Sequence, residues 1–509
     1  MATLATAGRR RAFSRKSRTG CQTCRTRHVR CDEAPGSCLN CTSTGRKCDG
    51  YDRNQLPLHI NIGTNLPGTS SDERRCFAFF LGKTAPMIET CFDSELWRRL
   101  VLPMSQAEPA VFHAVVALSA LHENSVARGL GNEYHRFSLS QYNRAITKLH
   151  QRFGSNDPQL HQVVLTCCII FFTLELLQGN YKAAFAHLRQ GLKIMQVQPG
   201  SPDQFPVLKR SHPLDYDPAL VETFMRLDLE ATNFDLSGRG LRLGNTKRPL
   251  AVPSQESLEI TSLVAAKQLL ASITCDVFCF YDHSARVFQG TVPPDLLSLS
   301  AERCRIWRRL VEFTASFDVF LSRYRVETTL TPSRIRGINI VQVYQLLLKT
   351  TLEAATTASE VAFDDYLSVF TTVTHSAEKI IESLKAEYGH DSLPTLTMDI
   401  GVIPPLYWVC VKCRYRQIRE RALHLLESWP HREGPYDSNM VVHIIKAIFA
   451  IESEYLGMEV VRETWRLTSL SVEISEDQRD GIVTYALSGD PRLQQRQFKL
   501  AGVDSLTRT

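Results

Sequence analysis

Six of the chain's fifteen cysteines fall within 28 residues near its amino end: Cys21, Cys24, Cys31, Cys38, Cys41 and Cys48. They spell C-x2-C-x6-C twice, the second triplet being the first displaced by seventeen positions. The other nine cysteines are scattered over the rest of the chain. The N-terminus is polar and Arg-rich, with no apolar signal core behind it, so secretion is not expected. In a reducing compartment a disulfide framework is a poor reading, and thiols held this close together invite metal.

Counting ligands narrows the choice. Structural zinc takes four ligands tetrahedrally, with thiolate sulfur at about 2.3 Å. Two zinc ions therefore need twice four positions, while six cysteines are present and the single histidine between them is His28. Two thiolates shared by both metals close that gap, and the repeat then gives each metal equivalent surroundings. One zinc would strand two thiols and leave the repeat unexplained. Iron–sulfur or copper–thiolate chemistry are the alternatives for the same sulfurs. So short a segment cannot bury enough surface to fold alone, and each structural zinc supplies on the order of 10–16 kcal/mol in small finger peptides.

Charge divides the chain in the same place. Residues 1–53 hold twelve Lys/Arg against four acids, a net +8, whereas the whole chain is +6. A short basic head on a nearly neutral body points to a polyanion, most simply nucleic acid.

The segment from Gly20 to Tyr51, GCQTCRTRHVRCDEAPGSCLNCTSTGRKCDGY, resembles the DNA-binding domain of fungal zinc binuclear cluster transcription factors. The six cysteines, the basic run after Cys24, Asp32 after Cys31 and Pro35 in the loop between the halves carry the likeness. The resemblance implies two zinc ions, with the first and fourth cysteines, here Cys21 and Cys38, bridging them. It also implies a short helix after Cys24 placed in the major groove of double-stranded DNA, where basic residues read a CGG-like triplet. Here Arg27 and His28 are assigned to base edges and Arg25 and Arg30 to phosphates. Arginine's planar fork suits either task. His28 departs from the lysines common in the family, being a shorter donor that is charged only when its pKa is raised. Its other reading is a surface histidine packed on the cluster. Arg46 and Lys47 sit at the equivalent place in the second repeat and are expected to meet the DNA backbone, a solvated loop being the alternative. The arm from Arg9 to Arg18 reads as a nuclear import signal or a phosphate-binding extension, or else as a charged tail.

Residues 49–74 look like a linker, with Pro57, Gly63, Pro67 and Gly68. Leu56, Leu58, Ile60 and Ile62 alternate with period two and Pro57 interrupts, so no coiled coil follows the cluster. Monomeric binding, or a homodimer formed through the body, stays open.

Beyond residue 75 the pattern is helical. Pro109 opens an Ala-lined segment with Val111, Val115 and Leu118 on one face; Tyr142, Ile146, Leu149 and Phe153 make the next stripe. Residues 160–177 form an apolar helix expected at the centre, with 181–195 laid against it. Later helices are expected near 263–280, 302–324, 340–352, 371–388, 406–426 and 439–455. Residues 470–474 and 482–487 flank SEDQRDG as a small hairpin. Residues 92–123 and 404–438 also resemble, more loosely, the helical regulatory region of the same fungal factors. In the second stretch Ile418, Ala422, Leu425, Leu426 and Trp429 form an apolar face. The nearby Arg414, Arg416, Arg419 and Arg421 read as a solvated helix face rather than an anion site.

The expected fold is therefore mostly α: a small metal-organised two-zinc six-cysteine domain and a large all-α helical-repeat-like regulatory domain, with a short C-terminal hairpin. The boundaries are a basic arm without fixed structure (1–20), the cluster (21–51), a linker (52–75), the helical domain (76–465) and a C-terminal segment (466–509).

Enzyme motifs are missing. His122-Glu123 has no second histidine at metalloprotease spacing, and Gly238, Gly240 and Gly244 are in the wrong register for a dinucleotide loop. Cys410 and Cys413, like Cys167 and Cys168, read as core thiols. No run of about 18 apolar residues occurs, so no membrane partner is expected. The resulting expectation is a nuclear, sequence-specific regulator of RNA polymerase II type transcription that binds DNA, carries two zinc ions and engages the transcription machinery. The alternative is a helical ligand-binding or enzymatic protein with an accessory zinc interaction module.

Overall fold

The computed structural model describes residues 21–27, 29, 31–32, 38–48, 69–92, 96–126, 132–153, 159–196, 216–236, 259–288, 293, 295–327, 329–355, 359–453, 460–475 and 479–500. The basic arm, linker positions 49–68 and the glycines at 238–244 lie outside these residues. The chain divides into two compact units, Met1–Leu81 and Gly82–Thr509. Most of it is helical.

Within the second unit the helix Pro109–Val126 buries twelve of its residues, its alanines among them. Small side chains at Ala110, Ala114, Ala117 and Ala120 allow close approach to the helices Asn132–Arg152 and Leu160–Leu177, against which it packs. Ser138 Oγ donates to the Ala117 carbonyl at 2.8 Å across the first of these contacts. The Leu160–Leu177 helix has the expected bounds and central place, with fifteen buried residues. By length and composition it could cross a bilayer, as could the helix Leu263–Phe288, but 83% of it is spent inside the protein. Gly179, at φ 76°, turns the chain into the helix Tyr181–Gln196, which packs back on Leu160–Leu177. The helix Pro218–Leu236, which no pattern in the sequence announced, packs on both.

A second group comprises the helices Leu263–Phe288, Leu296–Glu327, Pro332–Ala354, Leu367–Tyr388, Ile403–Lys412, Arg416–Ser428 and Ser438–Ser453. They share one core that includes Phe313, Phe317, Leu348, Phe370 and Trp408. The first four are longer than their apolar periodicity implies. One caps itself: Thr331 accepts the Arg334 N–H and Pro332 stands at the first helical position.

The helix expected over 406–426 is broken in two at Cys413, whose ψ of 137° is extended. The break drives Arg414 inward. Its guanidinium donates to Glu452 at 2.8 Å and to Glu360 at 3.2 Å, while Arg419 reaches the other oxygen of Glu452 and Lys412 Nζ lies 2.8 Å from Glu360. Burial alone would raise the Glu360 carboxyl; Lys412 and Arg414 overcome it and hold the group below its usual range. The expectation of a solvated basic face is thus corrected. Arg414 and Arg419 are buried structural cations, and it is Arg416 and Arg421 that stay exposed, paired with Glu420 and Glu378. A solvated reading fails for the first two because their carboxylate partners come from distant segments.

Two small sheets complete the unit. Leu396–Thr397 pairs parallel with Arg432–Glu433, which pairs antiparallel with Tyr436–Asp437. Near the C-terminus Leu467–Ile474, Asp480–Leu487 and Asp490–Lys499 form an antiparallel meander. The first two strands are the expected hairpin; the third is an addition. Arg466 anchors the meander to the helices through a two-pronged contact with Asp364 at 2.9 and 2.8 Å. Cys167, Cys168, Cys410 and Cys413 are all buried, and burial pushes Cys168 and Cys410 up to about 12.

Candidate metal centre and nucleic-acid interface

Two one-turn helices build the amino-terminal site, Gln22–Thr26 and Leu39–Thr42. Each begins directly after the first cysteine of its triplet, and each first sulfur accepts the backbone N–H of the second cysteine: Cys24 N to Cys21 Sγ and Cys41 N to Cys38 Sγ, both 3.3 Å. The x2 spacing thus puts two sulfurs on one side of a helical turn. The seventeen-residue repeat is visible in the backbone as well. Val29 N donates to the Cys24 carbonyl at 3.1 Å, and seventeen residues on Arg46 N donates to the Cys41 carbonyl at 3.0 Å. Gly45, at φ 67°, supplies the left-handed turn that ends the second helix.

The sulfurs form two groups of four, Cys21–Cys24–Cys31–Cys38 and Cys21–Cys38–Cys41–Cys48, each with its Sγ atoms within 4.8 Å of one another. Cys21 and Cys38 belong to both groups. Separations of 3.6 Å for Cys21–Cys38 and for Cys24–Cys38 match the edge of about 3.8 Å that a tetrahedron of sulfurs at about 2.3 Å from a zinc ion must have. Cys21, Cys24, Cys38 and Cys41 are fully buried and Cys48 half-buried. Burial pushes the Cys21 thiol up to about 12 and raises Cys24 and Cys38 too, so these thiols ionise together only around cations. The donor set fits zinc.

One further residue holds the halves together. Asp32 accepts Leu39 N at 2.9 Å and Asn40 N at 3.1 Å, capping the second helix from the end of the first triplet. Thr23 Oγ1 donates to the Lys47 carbonyl at 3.3 Å, tying the first helix to the second triplet. Neither contact was foreseen; an acid directly after a ligand cysteine was the available signal for the first.

The basic residues sit differently from expectation. The first helix spans Cys24 rather than following it, because Cys21 and Cys24 must share its turn. Arg25 is within the helix and Arg27 in the turn behind it. Arg27 is half-buried, with an Nη1 that has no acceptor among the described residues. Arg46 and Lys47 are exposed. His28 and Arg30 lie outside the described residues.

Comparison with known proteins agrees with this geometry. Residues 19–57 match the fungal Zn(2)-Cys(6) binuclear cluster domain, and residues 75–229 match the fungal specific transcription factor domain. An aspercryptin biosynthesis cluster-specific transcription regulator of Emericella nidulans is 22% identical over 88% of this chain and 89% of its own length. The transcription regulator lscL of Purpureocillium lilacinum is 29% identical over 34% of this chain and 47% of its own. A transcriptional regulatory protein of Schizosaccharomyces pombe is 57% identical over 11% of each chain. No solved structure matches significantly. These domains and relatives are transcription regulators rather than enzymes. The chain thus carries a fungal Zn(2)-Cys(6) binuclear cluster domain followed by a fungal specific transcription factor domain, and the relatives it resembles are designated transcription regulators.

Proposed function

We propose that the chain holds two zinc ions with Cys21 and Cys38 bridging, and uses this knot to aim its amino-terminal helix at a CGG-like triplet in duplex DNA. The observation that carries the reading is the sharing of Cys21 and Cys38 by both four-sulfur groups. When bound, the metals supply the rigidity that two one-turn helices lack. The chain's own residues then do the recognition. Arg27 and His28 are assigned to base edges in the major groove, where an arginine fork fits guanine O6 and N7. Arg25 and Arg30 are assigned to phosphates, and Arg46 and Lys47 to the backbone on the second half. The family and the basic arm support a nuclear setting, with the helical unit controlling or recruiting the transcription machinery.

The test is selection from random duplexes by the zinc-loaded full chain, followed by binding measurements with and without a chelator. A selected CGG-like triplet, affinity lost on zinc removal, and a salt slope reporting several released counterions are expected. Equal affinity without zinc, or sites lacking the triplet, would refute the proposal.

A further inference from the structure

The helix Leu296–Glu327 is apolar on two opposite sides. Its inner side buries Leu299, Ile306, Leu310, Phe313, Phe317 and Phe320 in the shared core. At 3.6 residues per turn, Leu297, Ala301, Cys304, Val311, Ala315, Val319 and Val326 lie on the other side. All are exposed: Leu297 86%, Val311 51%, Val319 58% and Val326 87%. Arg308 and Ser322 are the polar residues interspersed among them. A surface helix ordinarily turns a charged or polar side to water. Here the outward stripe advances by three and four residues, the spacing of a helix-pairing seam.

We propose that this stripe pairs with the same stripe of a second copy of the chain, the two helices antiparallel about a twofold axis. Charge names the occupant. Arg305 and Glu312, both exposed, flank the stripe on one side and are seven residues apart; Arg305 also lies 3.5 Å from Asp276 of its own chain, whose closer partner is Arg309 at 2.6 Å. With the axis between positions 308 and 309, Arg305 of each copy faces Glu312 of the other, so the contact is made twice. The same register sets Leu297 beside Val319 and Ala301 beside Ala315. A different partner would need none of this self-complementarity.

Size sets the strength. In this register residues 297–320 of the two helices overlap, about 35 Å, which on a helix about 10–12 Å wide covers about 400 Å² per copy, against the roughly 800 Å² per partner of a stable interface. The two Arg308 side chains also meet near the axis. The dimer is therefore weak and concentration-dependent.

Sedimentation equilibrium of the zinc-loaded full chain, over a hundredfold range of concentration reaching about 100 μM, reads this directly. A reversible dimer is expected, with Val311→Glu weakening it at least tenfold at unchanged helical content. Glu312→Arg and Arg305→Glu each place like charges opposite one another in their own homodimers. Mixed together they are expected to pair with each other in preference to themselves, which a merely sticky surface would not do. A single-chain mass throughout the range overturns the proposal. So does a dimer indifferent to Val311→Glu, or a mixture of the two charge variants with no preference.

Discussion

Cys21 and Cys38 differ from the other four cysteines in one respect: each completes both groups of sulfurs. Cys48→Ser removes a ligand from the second group and leaves Cys21, Cys24, Cys31 and Cys38 in place, so that variant should retain one zinc ion in native mass spectrometry. Cys21→Ser damages both groups and should retain none. Equal loss in the two variants would mean that the sulfurs are not shared. Asp32 gives a second prediction at this scale. Asp32→Ala leaves two N–H groups of the second helix without their carboxylate, costing about 1–2 kcal/mol. Zinc affinity should fall roughly tenfold in a chelator competition, since about 1.4 kcal/mol is a factor of ten. The six cysteines could be read from the chain because x2 and x6 spacings are local geometry. Asp32 could not, because its partners stand seven and eight residues away and meet it only once the halves have closed on each other. Arg27 shows the same limit: its type suggests a protruding fork, but the turn after Thr26 leaves it half-buried.

Among the helices, the ones legible in advance were those whose own sequence decides their burial. Leu160–Leu177 is apolar all round and could only be central. The break at Cys413 was illegible because the periodicity of 406–426 continues straight through it; what bends the chain is Glu360 and Glu452, brought in from other elements. The strand Asp490–Lys499 was illegible for a related reason. Its exposed run of glutamines and arginines shows no apolar alternation, and its neighbour Asp480–Leu487 supplies the buried side of the sheet. The ion knot at the break makes a sharp prediction. Glu452→Gln leaves Arg414 and Arg419 buried with half their compensation, and breaking a buried pair costs about 3–5 kcal/mol. Arg421→Ala removes an exposed ion pair and should cost under about 1 kcal/mol. Denaturant midpoints of the two variants should separate accordingly; a Glu452→Gln protein as stable as Arg421→Ala would show that the knot carries no weight.

At the scale of the whole helical unit, acid sensitivity follows from one buried histidine, His122. His122 is buried between Thr84 Oγ1, 2.9 Å from Nδ1, and Thr395 Oγ1, 3.1 Å from Nε2, so it joins the start of the unit to its middle. Burial lowers its pKa from 6.5 to about 4. The folded chain therefore keeps this ring neutral at a pH where the unfolded chain has already taken up a proton. Unfolding is proton-coupled over that interval, and stability falls as pH drops from about 6.5 to about 4, by about 3 kcal/mol from this residue. His161, His187 and His443 are shifted downward by burial as well and add to the slope in the same direction. His122→Gln can still hydrogen-bond both threonines but cannot titrate. Denaturation of the full chain across this pH range should show a shallower loss of stability for His122→Gln than for the parent, even where the variant is less stable near neutrality. Parallel curves would place the acid sensitivity elsewhere. Because burial is what lowers the ring's pKa, a shallower slope would also point to desolvation as the cause.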